Sequence, residues 1–185
     1  LWVGDGGMQL IEALSEITLG VDQPIIAIDG PAGAGKTTLA STISLALSPQ
    51  LSTTVIHMDE LYPGWHGALG QELTKTLTWL TSCHKAKKPL LYSSFNWVTN
   101  EFDPPTSHAS TQLLILEGVA SAQIAIEDSL ATTIWLDLDP AIGYQRVIER
   151  DGEKISHEMK QWLVVQEQHF AADKTKERCD FLLST

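Results

Sequence analysis

The stretch "IIAIDGPAGAGKTTLA", residues 25–40, joins an apolar run to a helix-like pattern through a turn that contains three glycines. From Gly30 to Thr37 the turn fits the pattern G-x-x-x-x-G-K-[ST]. Glycines allow the backbone to curl so that consecutive N–H groups point inward, where they can bind phosphate oxygens. A helix that begins at Lys36 would present further unpaired N–H groups to the same anion. The stretch therefore predicts a strand, a phosphate-binding loop (the P-loop, or Walker A motif) and a helix, in that order.

The predicted nucleotide-binding residues all lie in this loop or in the first turn of the helix: Gly30, Ala32, Gly33, Ala34, Gly35, Lys36, Thr37 and Thr38. Lys36 can reach the β- and γ-phosphates of ATP, and the Thr37 hydroxyl can ligate Mg²⁺. A chance match in a glycine-rich connector is the alternative. The position of the motif between a predicted strand and a predicted helix favours the nucleotide site.

Length and composition restrict the class of protein. A chain of 185 residues suits a single domain, which we predict over residues 1–185 with an N-terminal helical extension over residues 1–23. The net charge of −11 argues against generic binding to nucleic acid or to an anionic membrane surface. Neither a signal peptide nor an apolar run of about 18 residues is found, so no membrane segment is expected. Cys83 and Cys179 lie far apart, which favours a reducing, cytoplasmic location over a disulfide framework.

Hydrophobic periodicity predicts alternating strands and helices. The predicted strands cover residues 24–29, 53–58, 113–118, 132–138 and 180–183. The predicted helices cover residues 8–19, 36–47, 71–82, 140–150 and 156–172, and a short helical segment ends near Leu130. Residues 83–110 show no regular pattern, and Trp79 and Trp135 are expected in the core. The alternation predicts a three-layer α/β fold, in which helices cover both faces of a parallel sheet.

Other motifs decide between kinds of P-loop protein. The chain has neither the D-x-x-G nor the N-K-x-D stretch of a switch GTPase. A motor ATPase would carry an acidic pair after a strand, and the nearest candidate, "LLILEG" at residues 113–118, has only Glu117. A small-molecule kinase remains favoured. Such a kinase needs a carboxylate near the acceptor hydroxyl and a pocket for the acceptor molecule.

The segment "HMDELYPGW", residues 57–65, follows the second predicted strand, where open parallel sheets bind their ligands. Asp59 could accept the proton of the acceptor hydroxyl, while Tyr62 and Trp65 could form the pocket wall. An ordinary loop with anchoring aromatic side chains is the alternative. His57, His84, His108 and His169 are expected to be surface or packing residues rather than ligands, and His57 is the one that lies near the predicted site.

Together the P-loop, "DELY" (59–62), "LEGV" (116–119) and "RVIERDG" (146–152) resemble the uridine kinase and phosphoribulokinase-like group. The similarity is greatest to small uridine kinase-like proteins of actinobacterial type, whose C-terminal segment is matched by Trp162, Gln166, Glu167, His169, Phe170 and Asp180. The resemblance implies a P-loop kinase that uses ATP and Mg²⁺. It implies that Asp59 faces the acceptor hydroxyl, that Tyr62 lines the acceptor pocket and that Glu117 lies near Mg²⁺.

The same resemblance implies a short lid over residues 146–156, with Arg146 and Arg150 above the ATP phosphates. Positions i and i+4 share a helix face, so both guanidinium groups could contact one polyphosphate, although solvated surface charge is the alternative. The group carries an aspartate that contacts sugar hydroxyls, and Asn96 of Phe95-Asn96-Trp97 stands at that position here. Asn96 can still form hydrogen bonds to a hydroxyl but carries no charge. Trp97 could stack on an acceptor ring or have a structural role.

The sequence thus predicts a phosphotransferase that moves the γ-phosphoryl group of ATP to a hydroxyl of a small molecule, with a nucleoside as first choice. Another metabolite, such as a sugar, a vitamin precursor or a nucleoside monophosphate, is the alternative substrate. A nucleotide-binding module without catalysis is the alternative function. The oligomeric state stays open and a homodimer is allowed.

Overall fold

The computed structural model describes residues 5–185, so the first four residues of the predicted N-terminal extension lie outside the described part. Six α-helices occur there: α1 Asp5–Leu19, α2 Lys36–Leu47, α3 Gln71–Lys85, α4 Pro140–Asp151, α5 Ser156–Asp173 and α6 Thr175–Arg178. The long strands are β1 Ile25–Asp29, β2 Thr53–His57, β7 Leu113–Glu117, β8 Thr132–Asp137 and β9 Phe181–Ser184. The short strands are β3 Leu90–Tyr92, β4 Phe95–Asn96, β5 Glu101–Phe102 and β6 Thr106–His108. Three 3₁₀ turns cover Met58–Glu60, Ile124–Ser129 and Glu153–Ile155.

The long strands form one parallel sheet in the order β2-β7-β1-β8-β9. Strand β1 is central, and all five of its residues are buried, as expected for a parallel strand that is covered on both faces. In the register of the sheet, Glu117 of β7 stands beside Ile28 of β1 and His57 of β2. The carboxyl ends of these three strands, and therefore the loops that follow them, meet at one edge of the sheet.

Helices cover both faces of this sheet. Because neighbouring strand residues point to opposite faces, Leu114 and Leu116 pack with α3 and α5 on one side. Leu113 and Ile115 pack with α1 and α2 on the other side. The predicted three-layer α/β fold is confirmed.

The region from residue 83 to residue 110 contains structure that the sequence analysis did not predict. Helix α3 continues to Lys85, and two small antiparallel sheets follow, one from β3 and β6 and one from β4 and β5. These strands have only two or three residues each, which is too short for a recognisable alternation of apolar and polar side chains. The second sheet is a hairpin in which Phe95 pairs with Phe102.

The prediction that Trp79 lies in the core is wrong, because 57% of its surface is exposed. The buried positions of α3 include Leu73, Leu77 and Leu80, which follow helical spacing, and Trp79 lies on the outer face. Trp135 is buried in β8, as predicted. None of the helices within residues 5–185 combines the length and the apolar character that crossing a membrane requires.

Candidate active site

A cavity of about 630 Å³ lies where β1, β2 and β7 end. Most of the residues that the sequence predicted for the site line this one cavity: Ala32, Gly33, Gly35, Lys36, Thr37, Thr38, Asp59, Tyr62, Trp65, Trp97, Glu117, Arg146 and Arg150. Gly30, Ala34 and Asn96 are not among the lining residues. The P-loop and the start of α2 form one end of the cavity, and Asp59 with a group of aromatic side chains forms the other.

Five residues of the P-loop and the first turn of α2 line the cavity and have unpaired backbone amides. Within residues 5–185 the structure gives no hydrogen-bond acceptor to the backbone N–H groups of Gly33, Gly35, Lys36, Thr37 and Thr38. Gly33 and Gly35 have φ angles of 79° and 87°, a left-handed conformation that glycine adopts without steric cost. These five amides, together with the positive end of the α2 dipole, form a concave anion-binding surface.

The other three amides of the loop are already bonded. Gly30 N–H donates to Asp29 Oδ1 at 2.8 Å, and Ala32 N–H donates to Gln166 Oε1 at 3.1 Å. Ala34 N–H donates to the Pro31 carbonyl at 3.3 Å. In this structure these three residues shape the loop, and their amides are not free for a phosphate.

Lys36 is buried and folds back onto the loop. Its Nζ donates to the carbonyl oxygens of Gly30 at 2.8 Å and Pro31 at 2.7 Å. Burial lowers the pKa of Lys36 to about 8, although the charges of Asp29 and Glu117 offset part of this effect. The ammonium group has a third N–H donor for a phosphate oxygen and could also exchange either carbonyl for a further phosphate oxygen.

Thr37, Glu117 and His57 form a chain of contacts at the ends of α2, β7 and β2. Thr37 Oγ1 donates to Glu117 Oε1 at 2.9 Å, and His57 Nδ1 lies 2.5 Å from the same oxygen. Partial burial lowers the pKa of His57, but the hydrogen bond and negative charge of Glu117 outweigh it and raise the pKa above its ordinary value. His57, which the sequence placed near the site, is half-buried and contacts a carboxylate that lines the cavity.

The Thr37 hydroxyl and the Glu117 carboxylate are hard oxygen donors, which suit Mg²⁺. No cluster of three or more His, Cys, Asp or Glu side chains able to hold a metal occurs in the described part of the chain. Mg²⁺ commonly binds to one or two protein oxygens and completes its shell with substrate phosphates and water. The donor set therefore fits a magnesium ion that arrives with a nucleotide.

Both predicted lid arginines border the cavity. Arg146 Nη1 donates to the Gly33 carbonyl at 3.3 Å. Arg150 Nε and Nη2 donate to Asp151 Oδ1 and Oδ2 at 2.7 and 2.6 Å, in a pair whose side chains are 70% and 36% exposed. Exposed ion pairs contribute little to stability, so Arg150 could exchange Asp151 for a polyphosphate at small cost.

At the opposite end, Asp59 is exposed in the 3₁₀ turn that follows β2. The backbone carbonyl oxygen of Asp59 accepts a hydrogen bond from Trp97 Nε1 at 3.0 Å. Tyr62 is buried, and its hydroxyl donates to the Val119 carbonyl at 2.6 Å. Burial and the nearby carboxylates, Asp29 first among them, raise the pKa of Tyr62 well above its ordinary value, so the phenol stays protonated.

An aromatic wall stands beside Asp59. Trp65 lies edge-on to Trp97 and to Trp162, with ring centroids 5.3 and 6.1 Å apart, and Tyr62 lies 5.1 Å from Trp162. Trp162 and Met159, both from α5, were not predicted as site residues although both line the cavity. Their spacing of three residues, which puts both on one face of the helix, was the available signal, but it does not distinguish a cavity wall from ordinary core.

The structure gives Asn96 a local role. Its Oδ1 accepts hydrogen bonds from the backbone N–H groups of Val98 at 3.0 Å and Thr99 at 3.2 Å. These bonds stabilise the turn of the β4–β5 hairpin. Asn96 Oδ1 is therefore already hydrogen-bonded in this structure. The predicted contact of this oxygen with an acceptor hydroxyl would have to replace or share these bonds.

A scan against protein-family models and a search of curated proteins both give no match to this sequence. Solved structures do resemble it. A possible uridine kinase from Bacillus stearothermophilus is 20% identical, with 95% of this chain and 98% of that chain covered and a TM-score of 0.64. A provisionally assigned fructose transport system kinase from Silicibacter sp. TM1040 is 20% identical, with 93% and 98% covered and a TM-score of 0.59. D-glycerate 3-kinase from Cryptococcus neoformans var. grubii is 10% identical, with 90% and 86% covered and a TM-score of 0.52. These likenesses establish that the chain has the fold seen in P-loop small-molecule kinases.

Proposed function

We propose that this protein is an ATP-dependent phosphotransferase that moves the γ-phosphoryl group of ATP to a hydroxyl of a small molecule. The observation that carries the proposal is a cavity with two chemically different ends. One end has five free amides and Lys36 for a polyphosphate. The other has the exposed carboxylate of Asp59 beside an aromatic wall.

In the proposed reaction the acceptor hydroxyl binds to Asp59, which orients it and takes its proton as the new P–O bond forms. The bond between the γ-phosphorus and the β,γ-bridging oxygen breaks, and ADP leaves. Lys36 and the two arginines stabilise the negative charge on the transferred group. Bound Mg²⁺, held by Thr37 and Glu117, would neutralise part of the charge on the β- and γ-phosphates.

The charges of the cavity favour an uncharged acceptor. Among the described lining residues the cations are Lys36, Arg146 and Arg150, and all three belong to the P-loop–α2 segment or to α4. We assign each of them to the triphosphate, although the charge of Asp59 also acts on Lys36 and Arg150. The acceptor then has Asp59 and no cation of its own. This distribution disfavours a nucleoside monophosphate, whose phosphate would need its own cation.

The aromatic wall favours an acceptor with a planar ring, because ring faces stack favourably on indole groups. A nucleoside satisfies this condition and carries hydroxyl groups that can accept the phosphoryl group, so we keep it as first choice. The structural neighbours are named as a possible uridine kinase, a fructose transport system kinase and a D-glycerate 3-kinase. They support the reaction class and leave a sugar or a vitamin precursor as alternative acceptors.

One further function is favoured by specific observations. The side chain of Asn96 is used by its own hairpin, and Asn96 is not among the residues that line the cavity. This arrangement is consistent with a module that binds ATP without transferring its phosphoryl group. Such a module would bind the nucleotide and release no ADP with any acceptor.

The test is a panel of acceptors with ADP release as the readout. The panel contains nucleosides, monosaccharides and vitamin-type alcohols, each paired with its monophosphate as a matched control. We expect turnover with at least one uncharged ring-bearing alcohol and none with its monophosphate. ATP binding without turnover on the whole panel would favour the non-catalytic module, and absence of ATP binding would refute both functions.

A further inference from the structure

Gln166 is a polar residue on the inner face of helix α5. The buried positions of this helix are Met159, Trp162 and Gln166, whose spacings of three and four residues put them on one face. Met159 and Trp162 line the cavity with apolar surface. Gln166 is only 1% exposed, at a position where an apolar side chain would be the ordinary choice.

The amide of Gln166 contacts the P-loop. Its Oε1 accepts the hydrogen bond from the Ala32 N–H at 3.1 Å, although the two residues are 134 positions apart in the sequence. On the same peptide unit the Pro31 carbonyl accepts from Lys36 Nζ at 2.7 Å and from Ala34 N–H at 3.3 Å. Both polar groups of the peptide between Pro31 and Ala32, its carbonyl and its N–H, are therefore hydrogen-bonded.

This arrangement can change when Lys36 binds a phosphate. Where the ammonium group gives up the Pro31 carbonyl for a phosphate oxygen, the bond between Gln166 and Ala32 becomes the principal side-chain contact that keeps the peptide in place. The free amides of Gly33 and Gly35 follow directly in the chain. Their direction depends on the orientation of the peptide that precedes them, because each planar peptide is linked to the next by only two dihedral angles.

We propose that Gln166 is a positioning residue for the nucleotide phosphates: it orients the P-loop by accepting the Ala32 N–H and acts on ATP only through that loop. The inference rests on the proposed function, since it presupposes that the loop binds ATP. One face of α5 then contributes to both parts of the cavity: Trp162 belongs to the aromatic wall, and Gln166 binds the P-loop. An apolar residue of similar size at position 166 would keep the packing but leave the Ala32 N–H without an acceptor.

The experiment compares the wild type with Gln166→Met, which has a similar volume and no carbonyl oxygen. Gln168→Met, two residues further along the same helix and exposed, is the matched control. For each protein the dissociation constant of a non-hydrolysable ATP analogue is measured with Mg²⁺, together with the acceptor KM and the melting temperature. Hydrogen exchange of the Ala32 and Gly33 amides is followed by NMR in the absence of nucleotide.

We expect Gln166→Met to bind the analogue about tenfold more weakly, the effect of losing one organising hydrogen bond. The acceptor KM should stay unchanged, and exchange should accelerate at Ala32 and not at Gly33. Gln168→Met should match the wild type in every measurement. Unchanged affinity in Gln166→Met, or a parallel loss of affinity, acceptor KM and melting temperature, would overturn the inference.

The wild type provides a second measurement if Gln166→Met does not fold. In nucleotide-free protein the Ala32 amide should exchange more slowly than the unbonded amides of Gly33 and Gly35, and equal rates would contradict the inference. Failure of the wild type to bind the ATP analogue is a different result. It would refute the proposed function itself.

Discussion

The hydroxyl of Thr37 donates a hydrogen bond to the carboxylate of Glu117 at 2.9 Å, across 80 positions of sequence. The contact exists because β1 and β7 are parallel neighbours, with Ile28 beside Glu117 in the register. The loop after β1 and the last residue of β7 therefore reach the same edge of the sheet. Two oxygen donors that are far apart in the chain thus form one candidate magnesium site.

We predict that Glu117→Gln increases the Mg²⁺ concentration required for half-maximal phosphoryl transfer by about tenfold. Glutamine keeps an oxygen that can accept the Thr37 hydroxyl but removes the negative charge that attracts the cation. Titration of activity with Mg²⁺ at fixed ATP measures the effect. Glu149→Gln, on the exposed surface of α4, is the control; an unchanged magnesium requirement in Glu117→Gln would argue against the assigned ligand.

Replacement of Lys36 by alanine should reduce phosphoryl transfer by about 100-fold or more, because a cation that stabilises the transferred group is lost. ADP release measures the rate. The melting temperature should not fall greatly, since the variant also removes a charge whose burial is costly. Lys160→Ala, on the exposed side of α5, should retain full activity. Turnover of Lys36→Ala near the wild-type rate would exclude its catalytic role.

Replacement of Asp59 by asparagine should lower kcat by about 100-fold or more, the usual contribution of a general base. Binding of the ATP analogue should be unaffected, because Asp59 belongs to the acceptor end of the cavity. Steady-state kinetics and calorimetry separate the two effects. The control is Asp128→Asn, at an exposed position in the 3₁₀ turn before β8. If Asp59→Asn turns over normally, another group must accept the proton.

The stability of the protein should fall in mild acid partly because of His84. This residue is 1% exposed, and its Nε2 lies 3.1 Å from the Pro24 carbonyl. Burial lowers the pKa of His84, and the hydrogen bond to Pro24 offsets only part of that effect. Below an unfolded-state pKa of about 6.5, the unfolded chain takes up a proton that the folded protein resists, so the free energy of unfolding decreases as the pH falls.

The variant His84→Gln keeps a side-chain N–H donor but does not titrate. Its melting temperature should decrease less than that of the wild type between about pH 7.5 and about pH 5.5. His66→Gln, at an exposed position, should follow the wild-type curve. Identical pH dependence of His84→Gln and the wild type would show that His84 does not contribute to acid sensitivity.

Local patterns were sufficient for much of the fold. Helix α2 begins at Lys36 and ends at Leu47, as its apolar spacing predicted, and Pro140 begins α4 as expected for a first helical residue. The hairpin of β4 and β5 was missed because its strands are too short to show a period. Trp79 was misplaced because a tryptophan alone does not reveal which face of a helix it occupies.

The residues of the candidate site also fall into two groups, those that the sequence identified and those that it did not. The sequence identified the P-loop, Asp59 and Glu117 because each belongs to a short, recognisable motif that ends a strand. Trp162 and Gln166 stood out only as part of a resemblance in the C-terminal segment, and the sequence could not place them beside that motif. A contact between α5 and the P-loop depends on how the chain returns to the sheet after α4, and local sequence does not encode that path directly.

The sequence by itself determined the phosphate-binding loop, because glycines, a lysine and a hydroxyl at fixed spacing specify a backbone conformation within a few residues. It also determined the layered fold, since the periods of apolar residues follow from strand and helix geometry. Only the tertiary structure decided that the Ala32 amide binds Gln166, 134 positions away, whereas the Gly30 and Ala34 amides bond to Asp29 and Pro31 close by in the sequence. The bond from Ala32 to Gln166 joins two segments that only the packed molecule brings together.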